Sequence, residues 1–189
     1  MPRMEPLHPP YPAPIDRALH RWMPPGAPQD PLTLFRSLHR NPDLASRMFV
    51  LGSGLLNHGL LPAEDRELVI ARVTARTGCA YEWGVHAASL APQAGLTPDQ
   101  LRATAETTTT EADTVEWSPR HTALLTAVDE LHDTARLSQP AWDALRTHYD
   151  DAQLLEFLVL AGWYRVISYV ANGLLLTEEP WGVPFPVGS

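Results

Sequence analysis

The most constraining feature of the chain is a long apolar segment near its C-terminal end, from about Asp151 to Leu175. Drawn as an α-helix, this segment is apolar on nearly every side, which is typical of the central helix of a bundle. Its most apolar stretch, Phe157–Ile167, contains Arg165 and is too short to cross a bilayer, so we expect no membrane association. We expect Tyr164, inside this helix, to be mainly a core residue.

The rest of the chain also shows apolar residues at helical spacing, set between helix start and stop signals. Asn41-Pro42 predicts the start of a helix that reaches about Leu56, and Pro62 opens another that ends at Gly78. Further helices are predicted around Leu32–Leu38, over Tyr81–Ala91, after the Thr97–Gln100 capping box, over Ser118–His132 and over Gln139–His148. A Thr-rich stretch at 107–115 predicts a loop. No segment alternates as a strand does, so the sequence predicts an all-α fold.

Prolines are concentrated at the N-terminal end, where residues 2–31 hold ten of the nineteen. Proline removes a backbone donor and clashes with the preceding turn, so we expect no regular helix in this segment. The same segment carries apolar side chains for which a solvated tail has little use: Tyr11, Ile15, Leu19, Trp22 and Met23. We therefore favour an extended arm, docked on its own domain or on a neighbouring subunit, over a disordered tail. The predicted organisation is an arm at 1–31, a helical domain at 32–176 and a tail at 177–189.

The charge balance limits the kinds of partner that the protein can have. The 189 residues include 14 Lys and Arg against 22 Asp and Glu, a formal net charge of −8. Binding to a phosphate backbone requires a basic surface, so we expect no nucleic-acid partner. The single cysteine, Cys79, cannot form an internal disulfide, and the first residues lack the apolar core of a signal peptide. We expect a soluble cytoplasmic protein that acts on a small-molecule substrate.

Chemically active side chains are concentrated between Glu67 and His86. In a helix that begins after Gly78, Cys79, Glu82 and His86 stand at i, i+3 and i+7, which places them on one face. The helix N-terminus favours a thiolate at Cys79, whereas a carboxylate at Glu82 raises a thiol pKa. Glu67 lies on the preceding helix, where an antiparallel pair brings it close enough to orient the His86 imidazole.

This part of the chain resembles a known protein family. The stretch L-P-A-E-D-R-E-L-V-I-A-R-V-T-A-R-T-G-C-A-Y-E-W-G-V-H resembles the signature helix pair of the carboxymuconolactone decarboxylase family, in the branch that includes AhpD-type peroxidases. The resemblance continues through A-G-L-T-P-D-Q-L and, more loosely, to the end of the apolar C-terminal segment, so it covers nearly all of residues 32–176. It implies an AhpD-like helical bundle that assembles as a homo-oligomer: a dimer, trimer or hexamer.

The resemblance also assigns roles to the clustered residues. AhpD proteins use a glutamate, a C-x-x-C pair and a histidine, and these positions fall on Glu67, Cys79, Glu82 and His86. The motif here is therefore C-x-x-E-x-x-x-H, and no disulfide can form where Glu82 replaces the second cysteine. The favoured hypothesis is a cofactor-independent lyase or isomerase acting on a small carbonyl or carboxylic acid. In it His86 is the acid/base, Glu67 its orienter, Glu82 a second acid/base, and Cys79 a pocket wall or weak donor.

Two other functions stay open from the sequence. One is a thiol-dependent hydroperoxide reductase of AhpD type, in which Cys79 forms a sulfenic acid and an outside thiol completes the cycle. The other is a non-catalytic oligomer that only keeps the family fold. We expect no cofactor and no metal, although Glu67, Glu82 and His86 are residue types that can bind zinc. A substrate carboxylate would find its cation among three arginines that the sequence does not rank: Arg72, Arg76 and Arg165.

Overall fold

The computed structural model describes residues 2–24, 26–27, 29–106 and 115–186. Within these ranges the chain forms ten α-helices and no β-strand, which confirms the predicted all-α fold class. The helices are α1 (Ala13–Arg21), α2 (Thr33–Leu38), α3 (Pro42–Asn57), α4 (Ala63–Arg76), α5 (Ala80–Ala88), α6 (Leu90–Gln93), α7 (Pro98–Ala105), α8 (Pro119–Thr134), α9 (Gln139–Arg146) and α10 (Asp151–Leu174).

Helix α4 lies at the centre of the bundle. It packs against α5, α7, α8 and α10, and its side chains Leu68 and Ile70 are fully buried. Helix α10 packs along α4 and adds Leu154, Phe157 and Leu160 to the same core. Burial of each such side chain contributes roughly 1.5–3 kcal/mol. Because α5 contacts both α4 and α10, side chains on its inner face are buried between these two helices.

Local start signals place most helix boundaries where the sequence predicts them. The Asn41 side chain accepts a hydrogen bond from the backbone N–H of Leu44 at the start of α3, and both bonds of the Thr97–Gln100 capping box are present at α7. The helix predicted over 81–91 is instead two helices, since α5 ends at Ala88 and α6 begins at Leu90. The proline ring at position 92 accounts for the break, because it clashes with the carbonyl four residues earlier. The predicted loop at 107–115 lies outside the described residues except for its last position.

The N-terminal arm contains a helix, so the expectation that it holds no regular helix is wrong. Nine of its ten prolines lie outside α1, and the tenth, Pro14, stands in the first turn, where a missing N–H costs nothing. Leu19 is fully buried, and the Trp22 ring packs against Phe35 and Phe49 at centroid distances of 4.6 and 5.3 Å. The arm is therefore docked on its own helical domain.

Helix α10 is not buried on every side, which corrects the expectation from its composition. Its outward face leaves four apolar side chains between 39% and 64% exposed: Leu155, Val159, Val166 and Tyr169. It is also the one helix in the described part of the chain that is long and apolar enough to cross a membrane, contrary to the estimate from the sequence. Core helices of globular proteins pass the same test, and the inner face of α10 packs against α3, α4, α5 and α9.

The C-terminal segment after α10 returns across α5 and ties it to α2. The backbone N–H of Val183 donates to the carbonyl oxygen of Gly84 at 3.1 Å. The Glu179 carboxylate accepts from the Tyr81 hydroxyl and from the backbone N–H of Thr33, both at 2.6 Å. This segment therefore fixes the outer side of the helix that carries the candidate site.

Replacing Gly84 by alanine is expected to detach this segment. The added Cβ would lie 2.6 Å from the carbonyl oxygen of Val183, which is closer than a real contact allows. We expect Gly84→Ala to destabilise the protein by about 1–3 kcal/mol, measured by thermal unfolding followed by circular dichroism. Gly162→Ala is the matched control, because an added Cβ there meets no atom within 4 Å. Equal unfolding temperatures for the two variants would contradict this account of the segment.

Candidate active site

Helices α4 and α5 form an antiparallel pair whose connection decides which residues meet. Gly78 adopts a positive φ of 61°, and the backbone N–H of Cys79 returns to the carbonyl of Thr74 at 2.8 Å. This tight connection makes Cys79 the N-cap residue of α5 and turns α5 back along α4. Two turns into α5, His86 thereby reaches Glu67 on α4.

Glu67 and His86 form a buried ion pair, as their positions on the two helices predicted. Oε2 of Glu67 lies 2.7 Å from Nδ1 of His86, and Oε1 accepts from Nε of Arg66 at 3.1 Å. Burial alone would raise the pKa of the fully buried Glu67 carboxyl, but the charges and hydrogen bonds of His86 and Arg66 bring it below its ordinary value of 4.5. An ionised Glu67 therefore fixes the orientation of the His86 ring.

The other nitrogen of His86 is also engaged. Nε2 lies 3.1 Å from the Tyr164 hydroxyl and 3.5 Å from Oε1 of Glu82. Burial disfavours a charged imidazole, but the carboxylates of Glu67 and Glu82 outweigh that effect and raise the pKa of His86 above its ordinary value of 6.5. A protonated His86 held between two carboxylates has no nitrogen left for a substrate.

Tyr164 is a site residue that the sequence analysis assigned to the core. It is buried there, yet its hydroxyl bonds His86 and its ring stands edge-on to the imidazole at 5.1 Å. Burial, together with the charges of Glu82 and Glu67, raises the pKa of Tyr164 well above 10, so the hydroxyl stays protonated. A buried tyrosine hydroxyl needs a polar partner, so a tyrosine within an apolar helix was the sequence feature that could have indicated a site residue here.

One carboxylate oxygen of Glu82 is a buried hydrogen-bond acceptor without a donor in the described residues. Its side chain lies beside the imidazole of His86 through Oε1, whereas Oε2 is inaccessible to solvent and has no hydrogen-bond partner in the described part of the chain. Buried polar atoms are hydrogen-bonded in the large majority of cases, so this one needs an explanation. Glu82 is also the most exposed of the four predicted site residues, at 7%, against 0% for Glu67 and Cys79 and 3% for His86.

Cys79 is a buried thiol rather than a thiolate. It lies in an apolar cluster that includes Leu34, Met48 and Ile167. Burial raises the pKa of Cys79 to about 11; the Glu82 carboxylate adds to the rise, and hydrogen bonds from the Glu82 backbone and a nearby serine hydroxyl oppose it. The helix N-terminus, which favours a thiolate, does not overcome burial at this position.

The three arginines considered for a substrate carboxylate lie elsewhere. Arg72 makes two hydrogen bonds to the Asp129 carboxylate, at 2.8 and 2.7 Å, and Arg76 lies 3.5 Å from the same group. Arg165 donates to the Tyr169 hydroxyl. These contacts join α4 to α8 and brace α10, so these side chains are tied into the scaffold, and none hydrogen-bonds the four predicted site residues.

The zinc set considered from the sequence is also not assembled. Glu67 lies at Nδ1 of His86 and Glu82 lies toward Nε2, on opposite sides of the ring. Oxygens placed in this way cannot converge on one ion together with a single imidazole nitrogen.

Comparison with known proteins agrees with this helical arrangement. Residues 42–130 match the model of the carboxymuconolactone decarboxylase family. No curated protein matches the chain in sequence.

Three solved structures show the extent of the shared fold. An uncharacterized peroxidase-related protein from Silicibacter sp. TM1040 is 12% identical, with a TM-score of 0.77 over 95% of this chain and 92% of that one. The debrominase Bmp8 is 17% identical, with a TM-score of 0.71 over 93% and 91%. An alkylhydroperoxidase AhpD core, a peroxidase-related protein from Ralstonia eutropha JMP134, is 18% identical, with a TM-score of 0.67 over 80% and 82%. The chain therefore has the AhpD-like fold, and its helices at 42–130 are similar to the carboxymuconolactone decarboxylase family.

Proposed function

We propose that the protein is a cofactor-independent enzyme that transfers a proton on a small carbonyl or carboxylic acid, with Glu82 as the group that exchanges it. The supporting observation is the buried Glu82 Oε2, which has no hydrogen-bond partner in the described residues. An unpaired buried polar atom costs about 1–3 kcal/mol. Such a cost is understandable where a substrate completes the set of partners.

In this proposal His86 positions Glu82 rather than touching the substrate. Its Nδ1 is held by Glu67, and its Nε2 faces Glu82 Oε1 and the hydroxyl of Tyr164. The imidazole, 3.5 Å from Oε1, holds the Glu82 side chain in place. The sequence-based hypothesis gave the acid/base role to His86, and the engagement of both its nitrogens is the reason for moving that role to Glu82.

The proposed step balances without any oxidant or reductant. Glu82 takes a proton from a carbon next to a carbonyl group, and the C–H electron pair moves onto the carbonyl oxygen to form an enolate. Return of that proton to another carbon gives an isomerase. If a carboxylate leaves instead as CO2, its C–C electron pair forms the enolate and a protonated Glu82 supplies the proton. Cys79 and Tyr164 are neutral donors beside Glu82, because their pKa values are raised, and can hydrogen-bond the enolate oxygen.

A ligand found in a protein of the same fold is consistent with a small substrate. A variant of the debrominase Bmp8, with one cysteine replaced by alanine, forms a complex with 2,3,4-tribromopyrrole. That structure is 16% identical to this chain, with a TM-score of 0.70. A small planar molecule with a delocalised π system is comparable in size and shape to an enolate.

Thiol-dependent peroxide reduction is the second candidate, since two of the similar structures are peroxidase-related proteins. It requires a thiolate, whereas burial raises the pKa of Cys79 to about 11. The chain has no other cysteine that could form a disulfide with it. These observations favour proton transfer.

Cys79→Ala separates the two candidates. We expect this variant to retain activity within about threefold of the wild type, because removing a weak donor costs less than removing an acid/base. Activity is measured as incorporation of solvent deuterium into a panel of small keto acids and unsaturated carboxylic acids, followed by ¹H NMR. Complete loss in Cys79→Ala, together with wild-type peroxide consumption that requires added thiol, would assign thiol chemistry instead.

A further inference from the structure

A second cluster of buried ionisable side chains lies where α4 and α8 begin. Glu64 and Asp65 stand in the first turn of α4, and Arg120 and His121 in the first turn of α8. Asp65 is fully buried and His121 is 6% exposed, whereas the side chains of Glu64 and Arg120 are about one-third exposed. The cluster is separate from the Glu67–His86 pair, whose polar contacts are with Arg66, Tyr164 and Glu82.

Three acceptor atoms of this cluster converge on one nitrogen of the Arg120 guanidinium. Nη2 of Arg120 lies 3.3 Å from Glu64 Oε2, 3.2 Å from Asp65 Oδ1 and 3.4 Å from His121 Nε2. Each contact is longer than the 2.7–2.9 Å typical of a charge-assisted hydrogen bond. One nitrogen with two hydrogens cannot serve three acceptors, and Asp65 Oδ1 accordingly has no hydrogen-bond partner in the described residues.

The distances between these acceptor atoms fit a cation that is smaller and more highly charged than the Arg120 guanidinium. His121 Nε2 lies 3.4 Å from Asp65 Oδ1 and 3.7 Å from Glu64 Oε1. Ligands at about 2.1 Å from a tetrahedral zinc ion lie roughly 3.4 Å apart. Among the described residues, Glu64, Asp65 and His121 also form the one group of three or more metal-binding side chains whose ligand atoms lie within 4.8 Å of one another.

We propose that Glu64, Asp65 and His121 bind a divalent transition-metal ion of the zinc class at this point, with water as the fourth ligand. One imidazole and two carboxylates are a ligand set that such ions accept. Without metal, the Arg120 guanidinium occupies the place of the ion. When the ion binds, the partly exposed Arg120 side chain moves into solvent. The bound ion joins the start of α4 to the start of α8.

A hydrogen bond outside the ligand set supports the geometry. The Tyr149 hydroxyl donates to Oδ2 of Asp65 at 2.8 Å, which leaves Oδ1 directed at the cluster. Metal-binding carboxylates are commonly oriented in this way by a second hydrogen-bonded group. The partly exposed Glu64 side chain marks the route by which an ion reaches the site.

Zinc binding to the full-length protein tests the proposal, by titration with ZnCl2 against a competing chromophoric chelator. We expect the wild type to bind one equivalent of Zn²⁺ that His121→Gln loses. His58→Gln is the control, because His58 is exposed and lies outside the cluster. We expect Arg120→Gln to bind Zn²⁺ about tenfold more tightly, since the competing positive charge is gone.

The expected increase in the Zn²⁺ affinity of Arg120→Gln makes the test independent of misfolding, because a damaged fold does not bind the ion more tightly. Zinc K-edge absorption of this variant should show one nitrogen ligand among oxygen ligands. Equal affinity in wild type and His121→Gln would overturn the proposal. So would an Arg120→Gln variant whose affinity is unchanged or weaker, and the cluster would then be an ion-pair network only.

Discussion

Glu82→Gln is expected to lower the turnover of the protein's substrate by about 10²–10⁴-fold, the range that a positioned general acid/base contributes. Glutamine keeps the shape of the side chain and its place beside Nε2 of His86, but it cannot accept or return a proton at neutral pH. The unfolding temperature should also fall, because the substitution removes one of the two carboxylates beside His86, so turnover is compared well below the unfolding temperature of both proteins. Solvent deuterium incorporation into the panel of small acids measures the loss.

Glu116→Gln is the matched control for this result. It removes one carboxylate charge from an exposed residue outside the site, so its activity should equal that of the wild type. A Glu82→Gln variant that keeps wild-type activity would remove the basis for assigning proton transfer to this carboxylate. Activity lost in both variants would point to an effect of overall charge.

Local signals in the sequence were sufficient to predict most helices, because a helix start depends on a few neighbouring residues. Asn41 caps α3 and Thr97 caps α7 through bonds that span three positions. The predictions failed where contacts between distant parts of the chain determine whether a helix forms or which of its faces is buried. The proline content of the arm concealed α1, whose Leu19 side chain is stabilised by burial against the domain. The exposed face of α10 could not be recognised from composition, because its residues are as apolar as those of the buried face.

The candidate site could be predicted only as far as sequence spacing and family resemblance reach. Glu67 and His86 stand on adjacent helices joined by a tight turn, so their contact could be anticipated. The contact between Tyr164 and His86 joins residues 78 positions apart and depends on how α10 is rotated. The rotation of α4 was equally unknown, so the sequence could not show that Arg72, one of three unranked candidates for binding a substrate carboxylate, pairs with Asp129.

Glu67→Gln is expected to destabilise the protein by about 3–5 kcal/mol, because removing one partner leaves buried charges uncompensated. The substitution deprives both the His86 ring and the Arg66 guanidinium of their carboxylate. Urea unfolding followed by tryptophan fluorescence measures the difference. Glu116→Gln again provides the control, since loss of an exposed charge should change stability by less than about 0.5 kcal/mol.

The pH dependence of that difference distinguishes a buried ion pair from a simple packing contact. The pKa of His86 is raised on folding, so its contribution is complete below 6.5 and is lost as the pH rises through the folded-state pKa. The pKa of Glu67 is lowered, so its contribution is complete above 4.5 and is lost as the pH falls through the folded-state pKa. Both are complete between these two values, and the stability difference between wild type and Glu67→Gln should therefore be largest there and decline toward acid and toward alkali. A difference that stays constant across the whole range would mean that shape, and not charge, makes Glu67 important to the fold.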